Sequence, residues 1–107
     1  MAINNIFVEE ILTTIKKIKI KLDGITFAEF KANFHLVEDI IRYLNIIGEA
    51  ARHISDEVKN EYQDIPWDTL LNLRNILNNP NHISLVWEIA TEKLKEIKSN
   101  LKNVLKK

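Results

Sequence analysis

A guanidinium, a run of asparagines and one histidine lie close together in residues 73–87, LRNILNNPNHISLVW. Arg74 can present its planar fork to a phosphate, or it can bridge to an acid such as Glu49. Asn75 follows it directly. Asn79 and Asn81 flank Pro80; their amides donate and accept hydrogen bonds but cannot take up a proton near neutral pH. His82 can, because imidazole titrates in that range, although a histidine in a loop is equally open to a structural role. Asn45 and Glu49 are four residues apart and therefore share one face of a helix, beside an apolar stripe. Two roles are open to them, a solvated edge or a polar pair that orients an arginine. The chemistry within reach of these residues is phosphate binding, with proton transfer through His82.

Other chemistries lack the residues they need. With no cysteine, disulfides and thiolate metal sites are out of reach. His35, His53 and His82 lack the i, i+4 spacing that brings two imidazoles to one ion, and the adjacent acids Glu38-Asp39 and Asp56-Glu57 diverge on a helix. No glycine-rich phosphate loop, dinucleotide fingerprint or nucleophile elbow occurs. Neither a metal nor a cofactor is therefore expected. No apolar run approaches the roughly 18 residues of a membrane span, and no basic region followed by an apolar block opens the chain. A soluble cytoplasmic protein without membrane contact is the expectation.

Fifteen basic and fifteen acidic residues cancel, but they are unevenly spread. Lys16, Lys17, Lys19 and Lys21 cluster near one end, and Lys93, Lys95, Lys98, Lys102, Lys106 and Lys107 near the other. Two readings are open: attraction of RNA phosphate by counterion release, or solvated helix faces.

The elements that must position the polar residues read as helices. A chain of 107 residues is one domain, 1–107, able to bury a core. Ile3, Phe7, Ile11, Ile15, Ile18 and Leu22 form one helical stripe, ended at Asp23-Gly24, where glycine suits a left-handed cap. Thr26-Phe27-Ala28-Glu29 has capping-box spacing for a short helix. Asn33 can cap a second long helix that runs to about Ile54, with Val37, Ile40, Ile41, Leu44, Ile47, Ala51 and Ile54 on its apolar face. Gly48 interrupts that face at a cost of about 1 kcal/mol against alanine, which suits a tight helix crossing or a dimer interface. Ser55 or Asp56 can cap a short helix, and Pro66 opens another whose apolar positions run from Trp67 to Leu77. A last helix begins near Ser84, with Val86, Ala90, Leu94, Ile97, Leu101 and Val104 on one seam. No segment shows strand alternation. The fold class expected is all-α, an up-and-down bundle of four to five helices.

The runs Thr26-Phe27-Ala28-Glu29-Phe30, Arg42 to Ala51 (RYLNIIGEAA), Ile65-Pro66-Trp67, Leu73-Arg74-Asn75-Ile76-Leu77 and Val86-Trp87-Glu88-Ile89 stand in an order that resembles the HepT-like branch of the HEPN domains. These are small helical toxins paired with minimal nucleotidyltransferase (MNT) antitoxins, and the resemblance covers the chain from its first helix to about Leu101. It implies a homodimer, an MNT-type nucleotidyltransferase partner and metal-independent cleavage of RNA at the dimer interface. The family motif is an arginine, a polar residue, a histidine after four to six intervening residues, and commonly a tyrosine two later. In that chemistry histidine moves the proton of the ribose 2′-OH or of the leaving oxygen, and arginine stabilises the phosphate. The tyrosine is a plausible acceptor of AMP from the antitoxin. Arg74 and Asn75 match this pattern; Asn79 stands at the histidine position and Asn81 at the tyrosine position, while His82 lies just outside the family spacing. The resemblance thus implies a ribonuclease whose activity is weakened or lost, or alternatively a degenerate helical partner of the antitoxin.

Overall fold

Three long helical runs carry the core: α1 (Ala2–Leu22), α3 (Phe34–Arg52) and a run from His82 to Leu105. The computed structural model describes residues 2–76 and 82–105, without the side chains of residues 2–4, Arg74 and Ile76. Among the described residues there is no strand, and the expected all-α bundle is what the chain forms.

Helix α1 turns its stripe inward at Ile11, Ile15, Ile18 and Leu22, joined by the fully buried Val8 beside the half-buried Phe7. It stops at Gly24, whose φ of 74° lies in the left-handed region open to glycine. Thr26 then caps α2 (Phe27–Ala32): its hydroxyl accepts from the Glu29 backbone N–H, and the Glu29 carboxylate accepts from the Thr26 N–H over 2.9 Å. Asn33 caps α3 by accepting from the Leu36 N–H at 3.1 Å. The turn at Asn33 is so short that α2 leads directly into α3, and α2 seats Phe30, which is completely buried.

Helices α1 and α3 run antiparallel. Phe7, near the start of α1, stacks on His53 just past the end of α3, with ring centroids 5.0 Å apart. At the opposite end Lys21 reaches Asp39 over 3.0 Å. A short helix α4 (Asp56–Glu61), capped by the Ser55 hydroxyl, turns the chain back toward α5 (Trp67–Leu71). Trp67 is buried with its indole N–H donating to the Tyr62 carbonyl, which ties the α4–α5 turn down.

Two local departures from the simple helical reading follow. The single helix expected over 67–77 is broken at Asn72 into α5 and α6 (Leu73–Ile76). The Asn72 side chain donates to the Asp68 carbonyl at 2.9 Å, while the Asn75 N–H bonds only three residues back to the Asn72 carbonyl. The Asp68 carbonyl also accepts from the Asn72 backbone N–H at 3.0 Å, so Asn72 closes the end of α5 with both of its amides and the helix restarts after it. The last helix, described from His82 and expected to begin near Ser84, changes pitch: α7 (His82–Glu88) passes through a π-helical turn, Ile89–Lys93, into α8 (Leu94–Leu105). The residue buried in this turn is Ile89, and Ala90, expected on the seam, is only half-buried. One extra residue in the turn moves the seam from Ile89 to Leu94 and keeps Val86, Ile97, Leu101 and Val104 facing inward. The Thr91 hydroxyl donates to the Trp87 carbonyl over 2.7 Å, satisfying a group that the wider turn loosens.

Candidate functional site

The site is built on a crossing of α3 with the broken α5–α6 segment. Gly48 is buried at this crossing, and a Cβ added to it would stand 3.2 Å from the Leu70 carbonyl oxygen and 3.9 Å from the Leu73 Cβ. The missing side chain lets the two backbones meet, as its position inside an apolar face suggests, and the crossing lies within the chain.

Asn45 and Glu49, on the exposed edge of α3, line one cleft of about 150 Å³ together with Gly48, Arg52, Leu71, Asn72, Leu73 and Asn75. Two of the expected site elements, the Asn45–Glu49 pair and Asn75, are therefore neighbours in space. Asn75 is held there by a hydrogen bond from its side-chain amide to the Asn72 Oδ1 at 3.3 Å. Leu70 and Leu73, both buried, fix the height of α5–α6 over α3.

Glu49 is the electrostatic centre of this edge. Its carboxylate lies 3.3 Å from His53 Nε2 and 3.9 Å from an Arg52 guanidinium nitrogen. These exposed pairs are individually weak. Their effect is geometric: His53 is held between Glu49 and the ring of Phe7, and Arg52 is left beside the cleft with most of its side chain in water. The bridge from Glu49 to Arg74, one of the readings open from sequence, concerns a side chain outside the described residues.

Four further residues were expected at the site. The backbone of Arg74 lies in α6, directly before Asn75. Asn79 and Asn81 lie outside the described residues. His82 opens α7 and is half-buried; it is not among the described residues that line the Asn45–Glu49–Asn75 cleft.

Sequence reasoning missed Arg52 and Asn72. Arg52 is three residues after Glu49, and Asn72 three before Asn75, so each shares a helix edge with a residue already singled out. That spacing was the available signal. As it stands, the cleft offers amide donors and acceptors, a carboxylate and a guanidinium. Such groups can hold a phosphate or a ribose hydroxyl. No group of three or more metal-ligating side chains occurs among the described residues.

Most of the motifs behind the family resemblance have architectural roles. Thr26 and Glu29 form the capping box, Trp67 ties down the α4–α5 turn, and Phe27 and Phe30 pack on Trp87 with ring centroids 5.7 and 5.1 Å away.

Comparison with known proteins agrees with that resemblance. A family model described as "Ribonuclease HepT-like" matches residues 11–104. A Methanocaldococcus jannaschii protein named "Putative RNase" is 34% identical over 84 residues, covering 75% of this chain and 76% of that protein. Another "Putative RNase", from Caldanaerobacter subterraneus subsp. tengcongensis, is 25% identical over 94% of this chain and 93% of its own length. "Probable ribonuclease HepT" of Thermococcus cleftensis is 25% identical over 94% of each chain. No solved structure matches significantly. Among the described residues no helix is long and apolar enough to cross a membrane.

Proposed function

The chain belongs to the HepT-like ribonuclease family, and from that premise we propose that it is the toxin-side component of a HepT/MNT pair. In this reading it is a cytoplasmic homodimer that acts on RNA without a metal, and its cleavage is slow. Arg74 and Asn75 hold the scissile phosphate, with Asn45 and Glu49 as the polar wall that orients them. The observation that supports this most is the cleft in which Asn45 and Glu49 of α3 meet Asn75 of α6. A cleft with these groups can bind and polarise a phosphodiester.

Slow cleavage follows from the proton chemistry. General acid–base catalysis contributes typically 10²–10⁴-fold, and an asparagine at position 79 cannot supply it. His82 is the one histidine in the 73–87 segment and takes the proton-transfer role. Purified protein incubated with RNA in EDTA should cleave it slowly, and the Arg74→Ala, His82→Ala double variant should not. Absence of cleavage, or cleavage unchanged in the double variant, removes the ribonuclease reading.

Asn79 and Asn81 at the histidine and tyrosine positions favour a second reading, a degenerate partner that retains only its contacts with an MNT-type nucleotidyltransferase. Without the phenol, position 81 cannot accept AMP. Co-expression with such a nucleotidyltransferase should then give a stable complex without any RNA cleavage; failure to co-purify eliminates it.

A further inference from the structure

Lys16 and Lys19 of one lysine cluster and Lys95, Lys98 and Lys102 of the other, about 80 residues away in the chain, line the two sides of one groove. Because α1 and α8 pack antiparallel, Lys16 and Lys19 of α1 lie across from Lys98 and Lys102 of α8, around a hollow of about 680 Å³ that Leu12 and the exposed Ile20 also line. The hollow continues past Lys95 toward the π turn at Ala90–Thr91 as a second space of about 310 Å³, and Lys19 and Lys98 border both. From Thr91 to Lys102 the helix rise gives a groove roughly 16 Å long.

The distribution of charge along it is one-sided. Among the described residues none of Lys16, Lys19, Lys95, Lys98 and Lys102 has a carboxylate within ion-pair distance, and Asp23 at the end of α1 is the acid on the rim. Glu96 of α8 lies on another face, where it borders a hollow with Asp64 and Lys93. Lys19 and Lys21 offset the negative end of the α1 dipole, as lysines in a last turn commonly do. Lys102 does the same in the last turn of α8, whereas Lys16 and Lys98 have no such local purpose. Ammonium groups that face one another across a concavity, uncompensated, fit a linear polyanion lying between them.

We propose that this α1–α8 groove is a second RNA-binding surface, separate from the Asn45–Glu49–Asn75 cleft, that grips the phosphate backbone of single-stranded RNA. Among the described residues the groove and the cleft share no lining residue. RNA as the polyanion rests on the reading of the chain as an RNA-acting protein. Among the described residues that line the groove there is no aromatic platform for bases, so binding is through phosphate and tolerant of sequence.

The test is fluorescence anisotropy of a labelled single-stranded RNA with the intact protein over a salt series. The triple variant Lys16→Gln, Lys98→Gln, Lys102→Gln should bind more weakly, with the slope of log K against log salt reduced in magnitude by about 2, near 0.7 for each phosphate no longer neutralised. The matching Lys→Arg triple variant should keep the wild-type slope. So should Lys31→Gln, Lys59→Gln, since these lysines lie outside the groove. A triple Gln variant with the wild-type slope overturns the inference, as does binding to vesicles of anionic lipid but not to RNA. RNA bound through the groove but never cleaved leaves this inference standing and removes the ribonuclease reading. Cleavage with groove-independent binding does the reverse.

Discussion

Lys21 donates a hydrogen bond from its Nζ to Asp39 Oδ2 over 3.0 Å, joining the last turn of α1 to the beginning of α3. The hydrogen bond is the main reason the Asp39 carboxyl sits below the usual carboxylate range, helped by the charges of Lys21 and of Arg42 at 3.3 Å. The same bond holds the Lys21 ammonium above its ordinary value. The signs fix a pH window. The lowered Asp39 contributes stability above the ordinary carboxylate range and loses it as pH falls through its folded value. The raised Lys21 contributes below the ordinary lysine range and loses it as pH rises through its folded value. The pair is therefore fully effective across neutral pH and fails at both extremes. NMR titration of the Asp39 carboxyl should show its midpoint rising in Lys21→Met; an unchanged midpoint would refute the coupling.

Gly48→Ala tests the crossing beneath the cleft. Alanine gains about 1 kcal/mol of helix propensity, but its methyl presses on the Leu70 backbone carbonyl rather than on a flexible side-chain end. Overpacking of this kind costs typically 1–3 kcal/mol. Net destabilisation of about 1 kcal/mol is expected in urea unfolding, with a larger loss for Gly48→Val. A stabilised Gly48→Ala would show that α5 can shift outward freely.

Thr26→Ala and Phe30→Ala separate a cap from a core contact on the same six-residue helix. Loss of the cap should cost about 1 kcal/mol. Phe30 is fully buried and packs against Trp87, so its removal should cost about 3–5 kcal/mol and change the tryptophan fluorescence. Equal costs for the two would mean that the capping box, not the ring cluster, holds α2 in place.

Asn79→His tests the weakened-site reading. Restoring an imidazole at the motif's histidine position should raise cleavage of RNA in EDTA about 100-fold or more. No gain would show that position 79 is not where the proton is transferred in this chain.

Local chemistry in the sequence settled a large part of this molecule. The capping box at Thr26–Glu29, the caps at Asn33 and Ser55 and the left-handed Gly24 each depend on residues within a few positions of one another. The inward faces of α1 and α3 follow from their apolar periodicity, and Gly48 announced a close approach without naming the partner. The family motifs were legible for the same reason: they are contiguous runs, most of them shaping the framework.

Tertiary packing decided the rest. The break at Asn72 falls where its backbone and side-chain amides both close on the Asp68 carbonyl while Leu70 and Leu73 both stay buried against α3. The π turn at Ile89–Lys93 reconciles two stretches of one apolar seam that a regular helix would leave out of phase. Asn45 and Glu49 meet Asn75 only because Gly48 lets α5–α6 come down onto α3. Likewise, Lys16 and Lys19 meet Lys98 and Lys102 in one groove only because α8 lies antiparallel along α1. Periodicity tells a helix which face to bury, but not which helix will cover it; that depends on the fit of whole surfaces, and the fit is what brings distant residues into one site.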